Sequence, residues 1–178
     1  MITWTKKREI KVFDNFLSDQ DFKNLCDLIL SDHFPWYWIN QSTWKSTKHK
    51  KDSFFCHSIK YKDEINSSFM DQIMKPFKEK LKYKELLRAK INLSFNQGKP
   101  IRSNYHTDFP ELDVVGKKYQ TAIYYLNTCD GPTQFKVRKI KIKSVANRLV
   151  WFPGELEHRV VTQTDANRRV GINFNFKI

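Results

Sequence analysis

The segment SNYHTDF, residues 103–109, contains two side chains that could bind a metal ion, His106 and Asp108. The two residues stand at positions i and i+2, and alternate side chains of an extended segment point to the same side. An imidazole nitrogen and a carboxylate oxygen could therefore converge on one ion. Two ligands make an incomplete site, and an H-x-D pair is common by chance, so a third ligand must come from elsewhere.

His158 is the best placed of the other histidines to supply that ligand. It follows the segment WFPGELE, in which an apolar run ends in a Pro-Gly turn. Two histidines and a carboxylate on one face of a metal leave other positions open, an arrangement typical of non-haem Fe(II) oxygenases. The neighbouring pair Cys56 and His57 has no second cluster nearby in the sequence, and we interpret it as core or surface residues.

A pair of arginines, Arg168 and Arg169, comes at the start of a strand-like segment after His158. Arg169 and Gly171 share one face of that strand because they are two residues apart. A guanidinium group can bind a carboxylate through two parallel hydrogen bonds, and a glycine would leave room beside it. The pattern makes Arg169 a candidate carboxylate-binding residue, and Arg168 stays open as the alternative at this point.

The composition limits the class of protein. A chain of 178 residues with 40% hydrophobic residues predicts one domain with its own core. The three cysteines have no paired spacing, which favours a reducing compartment and therefore the cytoplasm. The sequence contains no run of 18 apolar residues, so we expect no membrane span. The net charge of +13 favours acidic partners such as nucleic acid, anionic substrates or acidic proteins, although runs of charge are usually solvated faces.

The first half of the chain has a helical period. SDQDFKNLCDLIL predicts a first helix with Ser18 as its N-cap. A second helix is predicted from Asp63 to about Leu87, with Pro76 ending or kinking it. The aromatic and basic residues 33–51 between them are predicted to be irregular.

The second half has a period of two, which is typical of strands. Strands are predicted at residues 89–95, 121–127, 139–143, 148–152 and 169–176, separated by the turn signals QGKP, CDGP and FPGE. Helices followed by several short strands predict a sheet-rich sandwich or barrel with helices packed on one side.

The order of motifs resembles the 2-oxoglutarate and Fe(II)-dependent dioxygenases, in particular the prolyl-4-hydroxylase-like branch and its small phage-encoded relatives. The segments that carry the resemblance are HTD, TAIYYLN, GPTQF, RLVWFPGELEHRV and RRVGINFNF, within about residues 86–178. The resemblance implies a mainly β fold, the double-stranded β-helix or cupin-like jelly roll, flanked by N-terminal helices. It implies one domain over residues 1–178, with helical support and a substrate region in 1–87 and the jelly-roll core in 88–178.

The resemblance also implies roles for individual residues. His106, Asp108 and His158 would be the iron ligands and therefore the catalytic centre. The distal carboxylate of 2-oxoglutarate would be bound by Arg169, with Thr121 contacting the same cosubstrate, Tyr125 lining the pocket and Asn92 standing near where relatives often have a tyrosine. Fe(II), 2-oxoglutarate and O2 are the implied cofactors and co-reactants, and ascorbate is a candidate addition.

The substrate stays open at the level of sequence. The branch suggests a prolyl or other protein side chain, which is an analogy from fold and family. The residues Trp36, Tyr37, Trp38, Trp44 and 45–51 could instead stack nucleic acid bases and follow phosphates, or pack the helices onto the sheet. A small molecule and a catalytically silent jelly roll that only binds a partner are further alternatives. A phage-encoded protein would work in the cytoplasm of its host cell.

Overall fold

The computed structural model describes residues 10–40, 53–110 and 118–178. Within these ranges the elements are, in chain order, β1 (Lys11–Phe13), α1 (Asp19–Ile29), β2 (Tyr37–Ile39), β3 (Phe54–Tyr61), β4 (Glu64–Ile65), α2 (Met70–Leu81), β5 (Glu85–Phe95), β6 (Gln120–Tyr125), β7 (Cys129–Phe135), a 3-10 turn (Val137–Lys139), β8 (Lys141–Ser144), β9 (Arg148–Pro153), β10 (His158–Val160) and β11 (Arg168–Lys177).

The described strands form two antiparallel sheets. The larger has eight strands, ordered β1-β9-β6-β11-β5-β3-β2 with β4 paired to β3, and the smaller has the order β10-β7-β8. Each of the five predicted strands lies within or overlaps an observed one. The predicted jelly roll with flanking helices is confirmed. His106, Asp108, His158 and Arg169 line a cavity to which both sheets contribute.

The two faces of the larger sheet differ because its strands alternate apolar and polar residues. One face, which includes Ile91 and Phe174, packs against the apolar sides of α1 and α2 to form the main core. The other face of the same strands carries polar side chains such as Asn92 and Arg169, which line a cavity shared with the smaller sheet. Alternation therefore places the core on one side and the polar site on the other.

Helix α1 forms as predicted. The backbone N–H of Asp21 donates to the Ser18 hydroxyl at 3.2 Å, which satisfies one of the free donors of the first turn. The buried residues Leu25 and Ile29 lie one turn apart on the side that faces the sheet. Neither of the two described helices is long and apolar enough to cross a membrane.

The predicted second helix was too long at both ends. Only Met70–Leu81 is helical, and a left-handed Lys82 with φ of 44° ends it. The residues before it form β4, and those after it begin β5. Pro76 lies inside the helix and does not end it. Burial of Phe77 and Leu81 beyond the proline stabilises the last turn and offsets the hydrogen bond that proline removes.

The predicted boundary at residue 87 does not separate a helical half from a sheet half. Strand β1 pairs with β9, and β3 pairs with β5, so the first half contributes strands to the large sheet. Residues 37–39, predicted to be irregular, form β2 because they pair with β3. Residues 41–51 of that predicted irregular segment lie outside the described residues.

Strand β7 was missed because its residues begin with CDGP, a turn signal. The pairing of β7 with β8 shifts register between Cys129 and Thr133. Such an irregularity accommodates Gly131 and Pro132, which would otherwise weaken a regular ladder.

We expect Phe77→Ala to lower the free energy of unfolding by about 3–5 kcal/mol, the usual cost of emptying a buried phenylalanine site. The Phe77 ring is fully buried, with centroids 4.7 Å from Phe174 and 4.9 Å from Tyr124. Urea denaturation measures the loss. The exposed Lys78 on the same helix provides the control, and Lys78→Ala should stay within about 0.5 kcal/mol. A similar small loss for Phe77→Ala would contradict the placement of α2 on the sheet.

Candidate metal centre

The structure brings His106, Asp108 and His158 together. His106 and His158 pair as an isolated antiparallel bridge. The backbone nitrogen of each residue lies 3.0 Å from the carbonyl oxygen of the other. One potential ligand atom from each of the three residues lies within 4.8 Å of the other two. The bridge therefore connects the H-x-D segment to β10 and supplies the third ligand that the pair lacked.

The two imidazoles are oriented for metal binding by the main chain. Nδ1 of His106 is 3.1 Å from the carbonyl oxygen of Asn104, and Nδ1 of His158 is 3.0 Å from that of Leu156. A carbonyl oxygen only accepts, so each Nδ1 carries the hydrogen and each Nε2 keeps a free lone pair. Burial, with a contribution from His106, lowers the pKa of His158 to about 4, so this ring is neutral at neutral pH.

The carboxylate of Asp108 is held by two residues that the sequence analysis did not identify. Its Oδ2 accepts a hydrogen bond from Asn175 Nδ2 at 2.8 Å, and its Oδ1 forms an ion pair with Arg88 at 2.5 Å. Arg88 Nε also donates to Asn175 Oδ1 at 2.9 Å, which closes the network. Burial acts to raise the pKa of Asp108, but Arg88 and the two histidines outweigh it, so the pKa lies below its usual value.

A signal for this network exists in the sequence, but it depends on pairing. Arg88 and Asn175 are two of several polar residues in the alternating strands β5 and β11, and they are partners in the β5–β11 register. Without that register, a polar residue in a strand is indistinguishable from one that faces water. The donor set as folded, two imidazoles and an ionised carboxylate, fits a non-haem Fe(II) ion.

We expect Arg88→Met to lower the free energy of unfolding by about 3–5 kcal/mol near neutral pH, because it leaves the Asp108 carboxylate buried without its cation. A carboxyl whose folded-state pKa is depressed stabilises the fold above its unfolded pKa of about 3.8 and loses that contribution as the pH falls. The difference between wild type and variant should therefore shrink under acid. Urea denaturation of metal-free protein at several pH values measures it.

The double variant Arg88→Met with Asp108→Asn is the control for this prediction. Removing both charges should recover part of the lost stability, since no unpaired carboxylate remains. A loss that is the same at every pH would show that Arg88 acts through packing on the Phe109 ring, which lies 5.0 Å from its guanidinium carbon.

Arg169 lies in the same cavity as the three candidate ligands. It is 4% exposed, whereas Arg168 is exposed. Its Nε donates to the Gly131 carbonyl at 2.9 Å and to the Ser144 hydroxyl at 2.8 Å, and its Nη2 donates to the Thr133 hydroxyl at 3.0 Å. These partners come from β7 and β8, so the smaller sheet fixes the position of the guanidinium.

All of these partners are neutral, and among the described residues Arg169 has no carboxylate partner. A buried cation without a counter-ion is costly, and an anionic ligand would compensate it. The donors of Arg169 that are not used by β7 and β8 match the two oxygens of a carboxylate. The site therefore fits a small acid such as 2-oxoglutarate.

The other predicted cosubstrate contacts take different places. Strand β6 contributes Ile123 to the described cavity lining, rather than Thr121 or Tyr125. The Tyr125 hydroxyl donates to Thr133 Oγ1 at 2.7 Å, and the guanidinium carbon of Arg169 lies 5.2 Å from its ring centre. Burial raises the pKa of Tyr125, so its ring stays neutral. Tyr125 thus packs against Arg169 and Thr133 without lining the cavity.

Thr121 accepts a hydrogen bond from Asn175 Nδ2 at 2.9 Å, the same amide nitrogen that donates to Asp108. The Asn175 side chain therefore links Thr121 to Asp108. This position of Thr121 fits support of the Asp108 carboxylate better than the predicted contact with the cosubstrate. Asn92 does line the cavity, opposite Gly171, and its buried Oδ1 has no hydrogen-bond partner in the part of the chain that the structure describes. Thr133 lines the cavity too and was missed, because its strand was read as a turn.

The structure also bears on the interpretations of His57 and of the aromatic residues between the two helices. His57 is buried, with its ring nitrogens 2.8 Å from the Pro35 carbonyl oxygen and 2.7 Å from the Ser67 hydroxyl, as a core residue should be. Trp36 packs against the main core, whereas the side chains of Tyr37 and Trp38 are 62% and 49% exposed. Trp44 and residues 45–51 lie outside the described part of the chain.

The sequence matches no protein-family model and no curated protein. Its fold is similar to solved structures. A 2OG-Fe(II) oxygenase family oxidoreductase from Burkholderia pseudomallei matches with a TM-score of 0.68 at 10% identity, covering 96% of this chain and 84% of that one. A Trichoplax adhaerens prolyl hydroxylase in complex with a hypoxia inducible factor peptide matches with a TM-score of 0.64 at 15% identity, covering 94% and 83%.

A viral collagen prolyl hydroxylase from Paramecium Bursaria Chlorella virus-1, solved with 2OG, matches with a TM-score of 0.56 at 15% identity, covering 95% of this chain and 96% of that one. Identities this low define the fold alone. The chain has the fold of the 2OG-Fe(II) oxygenases, and the resemblance noted in the sequence is confirmed at that level.

Proposed function

We propose that this protein is a 2-oxoglutarate- and Fe(II)-dependent dioxygenase that hydroxylates its substrate and releases succinate and CO2. The observation that carries the proposal is one cavity that holds both a His-Asp-His set and a buried arginine, Arg169, which has no anionic partner among the described residues. A jelly roll that only binds a partner would need neither. The fold similarity supports the same class of reaction.

His106, Asp108 and His158 would hold Fe(II). When bound together with 2-oxoglutarate, the metal would allow O2 to oxidise the substrate. His158 and Asp108 are already in the protonation states that metal binding requires, because burial keeps His158 neutral and the pKa of Asp108 is lowered. Arg88 and Asn175 would keep the carboxylate of Asp108 in place. Ascorbate belongs to the proposal only as an addition to assay mixtures.

Arg169 would bind the distal carboxylate of 2-oxoglutarate. Its hydrogen bonds to Gly131, Ser144 and Thr133 hold the guanidinium at one position, which reduces the entropy lost when the acid binds. Gly171 stands two residues further on the same strand face and lines the cavity. Its lack of a side chain leaves room between Arg169 and the ligands.

For the substrate we propose a prolyl or other protein side chain. Two of the similar structures are prolyl hydroxylases, and one of them holds a peptide. A nucleic acid base is the alternative, and the exposed rings of Tyr37 and Trp38 favour it. Binding of single-stranded nucleic acid that falls steeply with salt would support the alternative.

Anaerobic titration of the protein with Fe(II) and 2-oxoglutarate tests the proposed function. A visible charge-transfer band should appear only when both are present. A succinate-release screen across peptides, nucleic acids and small molecules should then identify the substrate class. Folded protein that gives no such band would contradict the proposal and favour a silent jelly roll.

A further inference from the structure

Lys90 lines the cavity together with Arg169 and has no role in the proposed function so far. It lies on β5, two residues before Asn92, and both side chains line the cavity. Among the described residues, Lys90 has no hydrogen bond and no ion pair, and its Nζ lies 5.6 Å from the centre of the Phe54 ring. An ammonium group has three donors, and none of them is used here.

The surroundings of Lys90 disfavour its charge. Burial lowers the pKa of Lys90 and Arg88 lowers it further, while Cys56 and Asp108 act in the opposite direction. The Asp108 carboxylate is held by Arg88 and Asn175 and forms no ion pair with Lys90 among the described residues. Lys90 lines the same cavity as the three candidate ligands and Arg169.

The charges of the filled cavity would not balance without another anion. Arg88 neutralises Asp108, and a dianionic cosubstrate would neutralise a divalent metal ion. Lys90 and Arg169 then remain as two positive charges in a partly buried site, where uncompensated charge is costly. A neutral substrate would leave this excess in place, whereas an acidic substrate would reduce it.

We propose that Lys90 binds a carboxylate of the substrate, so that the substrate carries an acidic group close to the carbon that reacts. This rests on the proposed function and specifies its substrate class. Asn92 contributes to the same position, because its buried amide has an unpartnered atom and its oxygen and nitrogen can exchange places by rotation. One ammonium and one amide fit a carboxylate, whereas phosphate sites usually collect more donors.

The 1-carboxylate of 2-oxoglutarate is the other anion that could reach Lys90, and the experiment separates the two sources. Protein loaded with Zn(II), which has no redox chemistry, and 2-oxoglutarate gives a stable complex for binding measurements. Its probes are matched acid and amide pairs: prolyl peptides with Glu or Gln beside the proline, and free amino acids with their carboxamides. Calorimetry measures both 2-oxoglutarate and probe binding.

In wild-type protein, at least one acid should bind about tenfold or more tightly than its amide, the effect of one charge-assisted hydrogen bond. Lys90→Met should remove that preference, and Lys90→Arg should retain it. The affinity for 2-oxoglutarate should change by less than about twofold in both variants. Lys143→Met, at an exposed lysine of β8, is the matched control and should behave as wild type.

Three results would overturn the inference. Wild-type protein could bind acids and amides equally or bind neither, or the preference for acids could survive in Lys90→Met. The third is a Lys90→Met variant that loses affinity for 2-oxoglutarate instead of the preference for acids. Thermal unfolding verifies that the variants fold, and Lys90→Gln repeats the test if Lys90→Met does not. Failure of wild type to bind 2-oxoglutarate would contradict the proposed function itself. Binding of 2-oxoglutarate without acid preference contradicts only the role of Lys90.

Discussion

Asp108→Ala and His106→Ala should each abolish substrate-stimulated succinate release and lower metal affinity by at least about a hundredfold, the upper range for loss of a residue that only supports a ligand. Each variant removes one of three ligands whose donor atoms lie within 4.8 Å of one another. The remaining two cannot form a facial set of three. Metal affinity is measured by equilibrium dialysis with Fe(II) under anaerobic conditions, independently of turnover.

The two variants differ in their effect on the fold, which makes them useful together. Asp108→Ala also leaves Arg88 as a buried cation without its carboxylate, so its stability should fall as well. His106→Ala removes a half-buried ring and should be milder. His33, which is exposed and distant from the site in the sequence, provides the control, and His33→Ala should keep full metal affinity. Unchanged turnover in either ligand variant would refute the iron assignment.

Arg169→Ala should raise the 2-oxoglutarate concentration needed for half-maximal turnover about 10- to 100-fold, as expected for losing charge-assisted hydrogen bonds to one carboxylate. Metal affinity should stay near that of wild type, because Arg169 contacts none of the three candidate ligands in the structure. Turnover at saturating 2-oxoglutarate should recover in large part. Succinate release across a range of 2-oxoglutarate concentrations measures the change.

Arg168→Ala is the matched control for this variant. Arg168 is exposed and neighbours Arg169, so its loss should leave the 2-oxoglutarate requirement unchanged. Arg169→Lys keeps the charge without the planar pair of donors and should fall between wild type and alanine. If Arg168→Ala raised the requirement and Arg169→Ala did not, the assignment of the strand register would be wrong by one residue.

The residue pattern alone indicated the three side chains that converge on one point and five of the strands. A period of two separates the faces of a strand whatever its neighbours are, so the strands at 89–95 and 169–176 and the placement of Arg169 with Gly171 follow from local geometry. The i, i+2 spacing of His106 and Asp108 likewise requires only an extended segment. These features are short-range, and short-range geometry is encoded in the order of residues.

The features that depend on pairing between distant segments could not be predicted in this way. Arg88 meets Asn175 and Asp108 only because β5 pairs with β11 in one register. Local period favoured a helix up to residue 87, but strand pairing and a left-handed Lys82 ended it earlier. That Lys90 has no hydrogen bond or ion pair among the described residues is likewise visible only in the folded chain. Tertiary structure decides which polar side chains of a strand have partners, because those partners come from other strands.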